Sequence, residues 1–333
     1  MRDIHFTYLS GPDIAALAMT DSEILDAVEV GLRAQGRGET VIEPRVHLEP
    51  DPAFRGHFNV LRGYVAPLGV AGVKVVGDYL DNYQQDLPSE MALLTLFDPR
   101  TGMPLALLDA TAITEMRTGA VTALGAKYLA RQGASVLGHV GARGTAYWNV
   151  RLLDHLFDFA EIRIHSRRPE SREPFAARLS DDLGKPVQAV DTWEACLDGA
   201  HIQVEASRLE APEPLFKTAW VAPGNLVIPY GTISAVELSL TDVMDKVVVD
   251  DWGQCKGGKF GSLRAHVEAG KLSEQTLHGE LGQIVAGDRP GRESDGETIL
   301  FWHRGLSLSD IALGAAMLEK AQRLGIGQQL RYA

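Results

Sequence analysis

Residues 135–146, Ser-Val-Leu-Gly-His-Val-Gly-Ala-Arg-Gly-Thr-Ala, run from an apolar strand through a glycine loop into a helix. Glycines let a backbone turn tightly and approach a phosphate. The first turn of the following helix supplies free N–H groups and the positive end of its dipole. That is the context of a dinucleotide fingerprint, and Gly141, Ala142, Arg143, Gly144 and Thr145 are its candidate cofactor-binding residues. Gly141 and Ala146 occupy the first and third small positions. The middle position is Arg143, with glycine one residue later. Two readings of Arg143 stand: it lies over a pyrophosphate, or it points to solvent. A plain strand–helix turn would carry the same residues, and the βαβ surroundings favour the nucleotide.

Downstream of the loop the pattern alternates. A helix at 145–158 is followed by a strand at 161–165, a helix at 172–183, a strand at 187–190 and a helix at 192–198. Strands at 201–206, 226–230 and 247–250 continue the series, which predicts a parallel sheet covered by helices. The second strand ends in His165-Ser166-Arg167-Arg168. A carboxylate there would hold the ribose hydroxyls of NAD; Ser166, Arg167 and Arg168 instead lean towards a 2′-phosphate and NADP. The other reading is a solvated turn.

Upstream, residues 21–35 carry Ile24, Val28 and Leu32 at helical spacing behind a capping-type Asp or Ser. Strands are predicted at 70–78 and 91–98, with a turn at 98–102 and a return strand at 103–109. Residues 112–131 form a long alanine-rich helix, and a last helix at 309–324 stops at Gly325. The 333 residues therefore divide into two domains, and a 45% hydrophobic content supports a core in each. A formal net charge of −12 disfavours nucleic acid and anionic membrane as partners. Cys196 and Cys255 lack any C-x-x-C spacing, so neither a disulfide framework nor a metal site is expected. The N-terminal stretch has no long apolar run, and a cytoplasmic protein is the expectation.

Three clusters of residues then resemble a known family. They are Ala71-Gly72-Val73-Lys74-Val75-Val76 with Leu87-Pro88-Ser89, Leu96-Phe97-Asp98 through Ala106 with Asp109, and Thr114 through Arg117-Thr118-Gly119-Ala120. The C-terminal residues Glu280-Leu281-Gly282, Pro290-Gly291-Arg292, Gly305-Leu306, Asp310 and Gly325-Ile326-Gly327 extend the resemblance over nearly the whole chain. It is to the ornithine cyclodeaminase/μ-crystallin family. Its members include cyclodeaminases, alanine dehydrogenases, ketimine reductases, iminosuccinate reductase and a thyroid-hormone-binding crystallin. The resemblance implies a Rossmann doubly wound parallel sheet, residues 132–305, inserted into an α+β substrate-binding and dimerisation domain, residues 1–131 plus 306–333. A homodimer and NAD(H) or NADP(H) are implied with it.

The same resemblance assigns roles. Arg45 matches the position that grips a substrate α-carboxylate; a guanidinium offers it two parallel donors. Lys74 matches the active-site lysine, and lysine on an apolar strand is costly without a partner. Its ammonium binds the carboxylate or donates a proton to an imine nitrogen. Arg117 and Thr118 match a pair that faces the cofactor diphosphate or the substrate carboxylate. Ser207, Tyr230 and Gly231 complete the expected cofactor set. Where cyclodeaminases carry an aspartate, this chain has Gly231 or Thr232, and no carboxylate lies between Leu226 and Val236. Simple hydride transfer is therefore expected over ring closure. Arg62 and Arg304 are extra cations, read as a second anion clamp for a dicarboxylic imino acid, and His303 as a proton donor. The expected function is reduction of an imino acid to an L-amino acid, with iminosuccinate to L-aspartate the favoured case. An ornithine-type cyclodeaminase and a non-enzymatic binding protein are the alternatives.

Overall fold

Side chains alternate across a strand, so the register of a sheet decides which residues share a face. The computed structural model describes residues 3–257 and 260–333. Along the chain come β1 (His5–Leu9), α1 (Gly11–Ala16), α2 (Asp21–Gly36), β2 (Thr40–Ile42), β3 (Val46–Leu48), β4 (Gly56–Val65), β5 (Val70–Tyr79), β6 (Glu90–Phe97), β7 (Pro104–Asp109) and α3 (Thr111–Leu129). Then follow β8 (Val136–Val140), α4 (Ala146–Phe157), β9 (Glu161–His165), α5 (Pro169–Leu183), β10 (Gln188–Ala189), α6 (Trp193–Leu197), β11 (Ile202–Glu205) and β12 (Leu226–Pro229). The last are β13 (Lys246–Val249), α7 (Trp252–Lys256), α8 (Arg264–Glu268), β14 (Gly279–Glu280), α9 (Leu281–Ala286), β15 (Ile299–Trp302), α10 (Ser307–Leu324) and β16 (Gln328–Arg331).

Two units result: Met1–Arg117 with Leu306–Ala333, and Thr118–Gly305. The division falls inside α3, not near residue 131. The second half of that helix belongs to the second unit, because a side chain at Gly119 would meet Trp148 and one at Gly125 would meet Phe301.

The first unit is α+β. Its sheet runs β16-β1-β7-β6-β5-β4-β2, with β3 also paired to β4. Among the described residues of this sheet, only β1 and β7 pair in parallel. Helix α10 lies on β4, β5 and β6 and against α2. It seats closely because a side chain at Gly72 would meet Ile311, and one at Gly314 would meet Leu94. On the helix side, Leu61, Lys74 and Leu94 form one cross-strand row, and all are buried. On the other side, Val46, Val60, Val75 and Leu93 form a row, and Leu48, Phe58, Gly77 and Met91 the next. Val46, Leu48, Val75, Met91 and Leu93 are exposed there.

The second unit is a doubly wound sheet, all parallel, in the order β10-β9-β8-β11-β12-β15-β13-β14. Chain order reverses between β8 and β11, and ligands of such sheets bind outside the carboxyl ends of the strands at that point. Val140, Val227, Leu300, Trp302 and Phe216 lie in its core. Among the described residues no helix is long and apolar enough to cross a membrane.

Candidate functional site

In the first unit, Lys74 is 1% exposed in the middle of β5. Its Nζ donates to Asp310 Oδ1 at 2.6 Å and to Thr114 Oγ1 at 3.1 Å. Arg117 Nε donates to the same Asp310 oxygen at 2.8 Å. One carboxylate from α10 thus gathers a strand lysine and a helix arginine. Burial, then the Arg117 charge, brings the Lys74 pKa down to about 7; Asp310 opposes this, and Arg45 adds to it. Arg45, in the turn between β2 and β3, is therefore close enough to act on Lys74. Lys74 and Arg117 thus meet on one buried carboxylate with Arg45 acting on the same lysine, a setting suited to an anionic ligand.

Arg62 does not join them. In the β4–β5 register Leu61 pairs with Lys74 and Arg62 with Val73, so Arg62 is on the opposite face. Its guanidinium is bound by Glu43 and by the Pro44 carbonyl. The second anion clamp expected of it is corrected accordingly. Arg304 lies in the second unit, where Nη1 donates to the Gln254 and Gly257 carbonyls at 3.2 and 2.8 Å. Its backbone and that of Gly305 donate to the buried Asp250 at 2.9 and 2.8 Å. This arginine fastens the strand end rather than presenting a free cation.

His303 also needs correcting. It is fully buried, with its ring stacked on Tyr230 at 4.6 Å and on Phe301 at 5.2 Å. Its Nε2 lies 3.0 Å from Thr122 Oγ1. A ring enclosed in this way packs the sheet; a proton donor to substrate needs an accessible nitrogen.

The glycine loop sits at the carboxyl end of β8. Gly141 has φ +120 and Gly144 φ +56, backbone that side chains other than glycine rarely adopt. A Cβ at Gly141 would also stand 2.8 Å from the Ala206 carbonyl. Thr145 precedes α4 without capping it by its side chain; the Ala146 N–H donates to the Arg143 carbonyl at 3.2 Å, and among the described residues no side chain caps the N–H groups that follow it. Thr145 Oγ1 bonds the Tyr230 hydroxyl at 2.7 Å instead. Asn149 donates both to that hydroxyl and to His139 Nε2, the latter at 3.1 Å. His139 Nδ1 then faces the Gly141 carbonyl at 3.0 Å, which fixes the tautomer with the proton on Nδ1. Burial holds the His139 pKa down to about 4, against the hydrogen bond to Gly141, so the ring stays neutral. The loop is thus braced from β8, α4 and the end of β12. Arg143 is exposed and reaches Ser171 at 3.5 Å. Arg167 and Arg168 are exposed beyond β9, and Ser166 Oγ donates to the Arg168 carbonyl at 3.3 Å. Thr118, in the first turn of the second unit, is buried and offers its carbonyl to Thr122.

Two residues were not assigned a role from the sequence. Asp310 is the centre of the cation cluster. Glu205, at the end of β11, is fully buried and reaches Gly231, so a carboxylate does approach that loop, but from the neighbouring strand. Both could have been found by the logic that singled out Lys74, a charge set in an apolar run.

Fold and site together define a dinucleotide-binding type of α/β unit joined in one chain to a cation-bearing α+β unit. The chain belongs to the ornithine cyclodeaminase/mu-crystallin family, whose model matches residues 9–324. It is 30% identical to an alanine dehydrogenase of Archaeoglobus fulgidus, over 97% of this chain and 98% of that protein. The Δ(1)-pyrroline-2-carboxylate reductase of Thermococcus litoralis, solved in complex with NADH and L-proline, superposes with a TM-score of 0.90 at 27% identity, over 98% of this chain and 100% of that one. The iminosuccinate reductase of Paracoccus denitrificans, solved in complex with NAD+, gives 0.88 at 27% identity, over 98% and 99%.

Removing Asp310 strands two buried cations. Asp310→Ala should lower unfolding stability by about 3–5 kcal/mol, read from the midpoint of denaturant unfolding. A loss below about 1 kcal/mol would mean that the pair does not hold this unit together.

Proposed function

We propose that this chain is an NAD(P)-dependent oxidoreductase that reduces an α-imino acid to the L-amino acid. The observation that carries the reading is the meeting of Lys74 and Arg117 on the buried carboxylate of Asp310, with Arg45 acting on the same lysine. The residues at the switch point fit a dinucleotide: a loop with two left-handed glycines, a helix without a side-chain cap, and Ala206 so close that only glycine fits opposite it. Gly141 to Thr145, Ser207, Tyr230 and Gly231 would hold it. When bound, the nicotinamide supplies hydride.

The chain's own residues do the rest. Arg45 and Arg117 bind the substrate carboxylate and fix its orientation. Lys74 has three donors, and two have partners among the described residues, Asp310 and Thr114. The third serves the imine nitrogen. With a pKa brought to about 7, its ammonium gives up a proton readily near neutrality. Glu205 is engaged on both carboxylate oxygens and presents no free base to an amine, which favours net reduction over cyclodeamination. Iminosuccinate, giving L-aspartate, is the dicarboxylic candidate. With Arg62 on the other face and Arg304 bound by carbonyls, its second carboxylate depends on Arg45 or Arg117. The exposed rows from Val46 to Leu93 and from Leu48 to Met91 are the face on which two copies would form the homodimer.

Incubated with NADH or NADPH and a panel of imino acids, iminosuccinate and cyclic imines included, the protein should oxidise the cofactor. Oxidation with none would favour a binding protein, and proline with ammonia from ornithine and catalytic NAD would favour a cyclodeaminase. Lys74→Met should abolish turnover and leave cofactor fluorescence quenching in place.

The pH profile follows from the same lysine. Its charged form, the proton source, is lost as pH rises through about 7. Above that point kcat/KM for the imine should fall roughly tenfold per pH unit; a flat profile up to the lysine's ordinary range would contradict this role. For assembly, Val75→Glu with Leu93→Glu should give monomers by light scattering, and an unchanged dimer would place the interface elsewhere.

A further inference from the structure

Among the described residues, Glu205 is a fully buried carboxylate at the switch point that the proposed chemistry does not use, and its side-chain hydrogen bonds all go to loops. Its Oε1 accepts from the Ser207 backbone at 2.7 Å and from the Ser207 hydroxyl at 2.5 Å. Its Oε2 accepts from the Ser262 hydroxyl at 2.6 Å and from the Gly231 backbone at 3.3 Å. Its own carbonyl accepts from Tyr230 and Gly231, at 2.9 and 3.1 Å. Three loops that are distant in sequence therefore converge on one side chain.

Gly231 is the counterpart. Its φ is not in the left-handed region, so backbone geometry alone would admit any residue. Space does not. A Cβ there would lie 2.5 and 2.7 Å from the two Glu205 oxygens and 2.8 Å from the Ser207 carbonyl. The carboxylate fills the volume that a side chain at 231 would take, and Ser207 is held where it is by the same carboxylate.

We infer that Glu205 is a positioning residue for the cofactor, matched to Gly231, which sets the loops at Ser207 and Tyr230–Gly231 in their binding geometry. The inference rests on the reading of those loops as cofactor-binding. Burial raises the Glu205 pKa, and the protonated acid still fits. Ser262 Oγ then accepts from the carboxyl and turns its own proton to the Gly231 carbonyl, 3.0 Å away. A glutamine makes most of this arrangement, with its oxygen towards Ser207 and its amide towards Ser262, and loses only the 3.3 Å contact from the Gly231 N–H, which keeps the residue-205 carbonyl as acceptor.

The test compares E205Q, E205A, G231A and the double variant E205A/G231A by fluorescence titration with NADH and NADPH, and by steady-state kinetics. Thermal melting establishes that each variant is folded. Expected is a Kd for the preferred cofactor raised at least about tenfold in E205A and in G231A, with KM for the imino acid unchanged. E205Q should stay within about threefold of wild type. The double variant should bind no worse than the weaker single variant, because the collision with the carboxylate vanishes and Ser207, no longer held by it, can yield to the new Cβ. Cofactor binding unchanged in folded E205A, or losses that simply add in the double variant, would overturn the inference. A purely structural residue would lower the melting temperature and leave the cofactor Kd alone, which also counts against it. Wild-type protein that binds neither cofactor would instead overturn the proposed function, so the two failures are told apart.

Discussion

The contact between Lys74 and Asp310 governs the first unit. An ammonium and a carboxylate, each almost wholly withdrawn from water, are tolerable only as partners, and each alone would cost several kcal/mol. Their union fixes α10 to the middle of the sheet, and the same oxygen draws in Arg117 from α3. Structure and chemistry are inseparable here. The burial that makes the pair a structural clasp also brings the lysine into the range where it exchanges protons near neutrality. Close seating of the helix is a precondition, and Gly72 and Gly314 allow it.

The second unit solves a different problem, holding a loop with few side chains of its own in one shape. It does so by a relay of neutral partners. His139 props the Gly141 carbonyl, Asn149 fixes the His139 ring, and the Tyr230 hydroxyl ties Asn149 to Thr145. The Tyr230 ring in turn rests on His303. His139, Thr145, Tyr230 and the Asn149 amide nitrogen satisfy one another, so the loop is stiffened without placing a net charge where a diphosphate would bind.

Much of this was legible in the sequence because it is periodic or local. The glycine loop, the alternating strands and helices after it, and the charged residue in an apolar strand at Lys74 are all patterns within a few residues. What stayed hidden depends on register or on distance along the chain. Strand β4 mixes polar and apolar residues on both faces and has no clear alternation, so the face taken by Arg62 could not be read without its pairing to β5. His303 and Arg304 are a histidine and an arginine at a strand end, where exposure and burial look alike in sequence; the stacking on Tyr230 and the carbonyls of Gln254 and Gly257 decide it. Asp310 and Glu205 were visible as charges in apolar runs, yet their meaning lay in partners that sequence alone cannot supply.

The first unit is assembled from segments far apart in the chain. Strand β1 pairs with β16, and Lys74 meets a carboxylate 236 residues further on. During synthesis the lysine strand therefore emerges long before its counter-ion exists. The second unit, contiguous in sequence, can close on itself while the first waits for its final helix. Until α10 arrives, a half-built sheet exposes both a lysine meant for the interior and the apolar face meant to be covered. Helix α10 is thus the segment that turns a loose hairpin array into a folded body, through contacts of long sequence separation, which are slow to form.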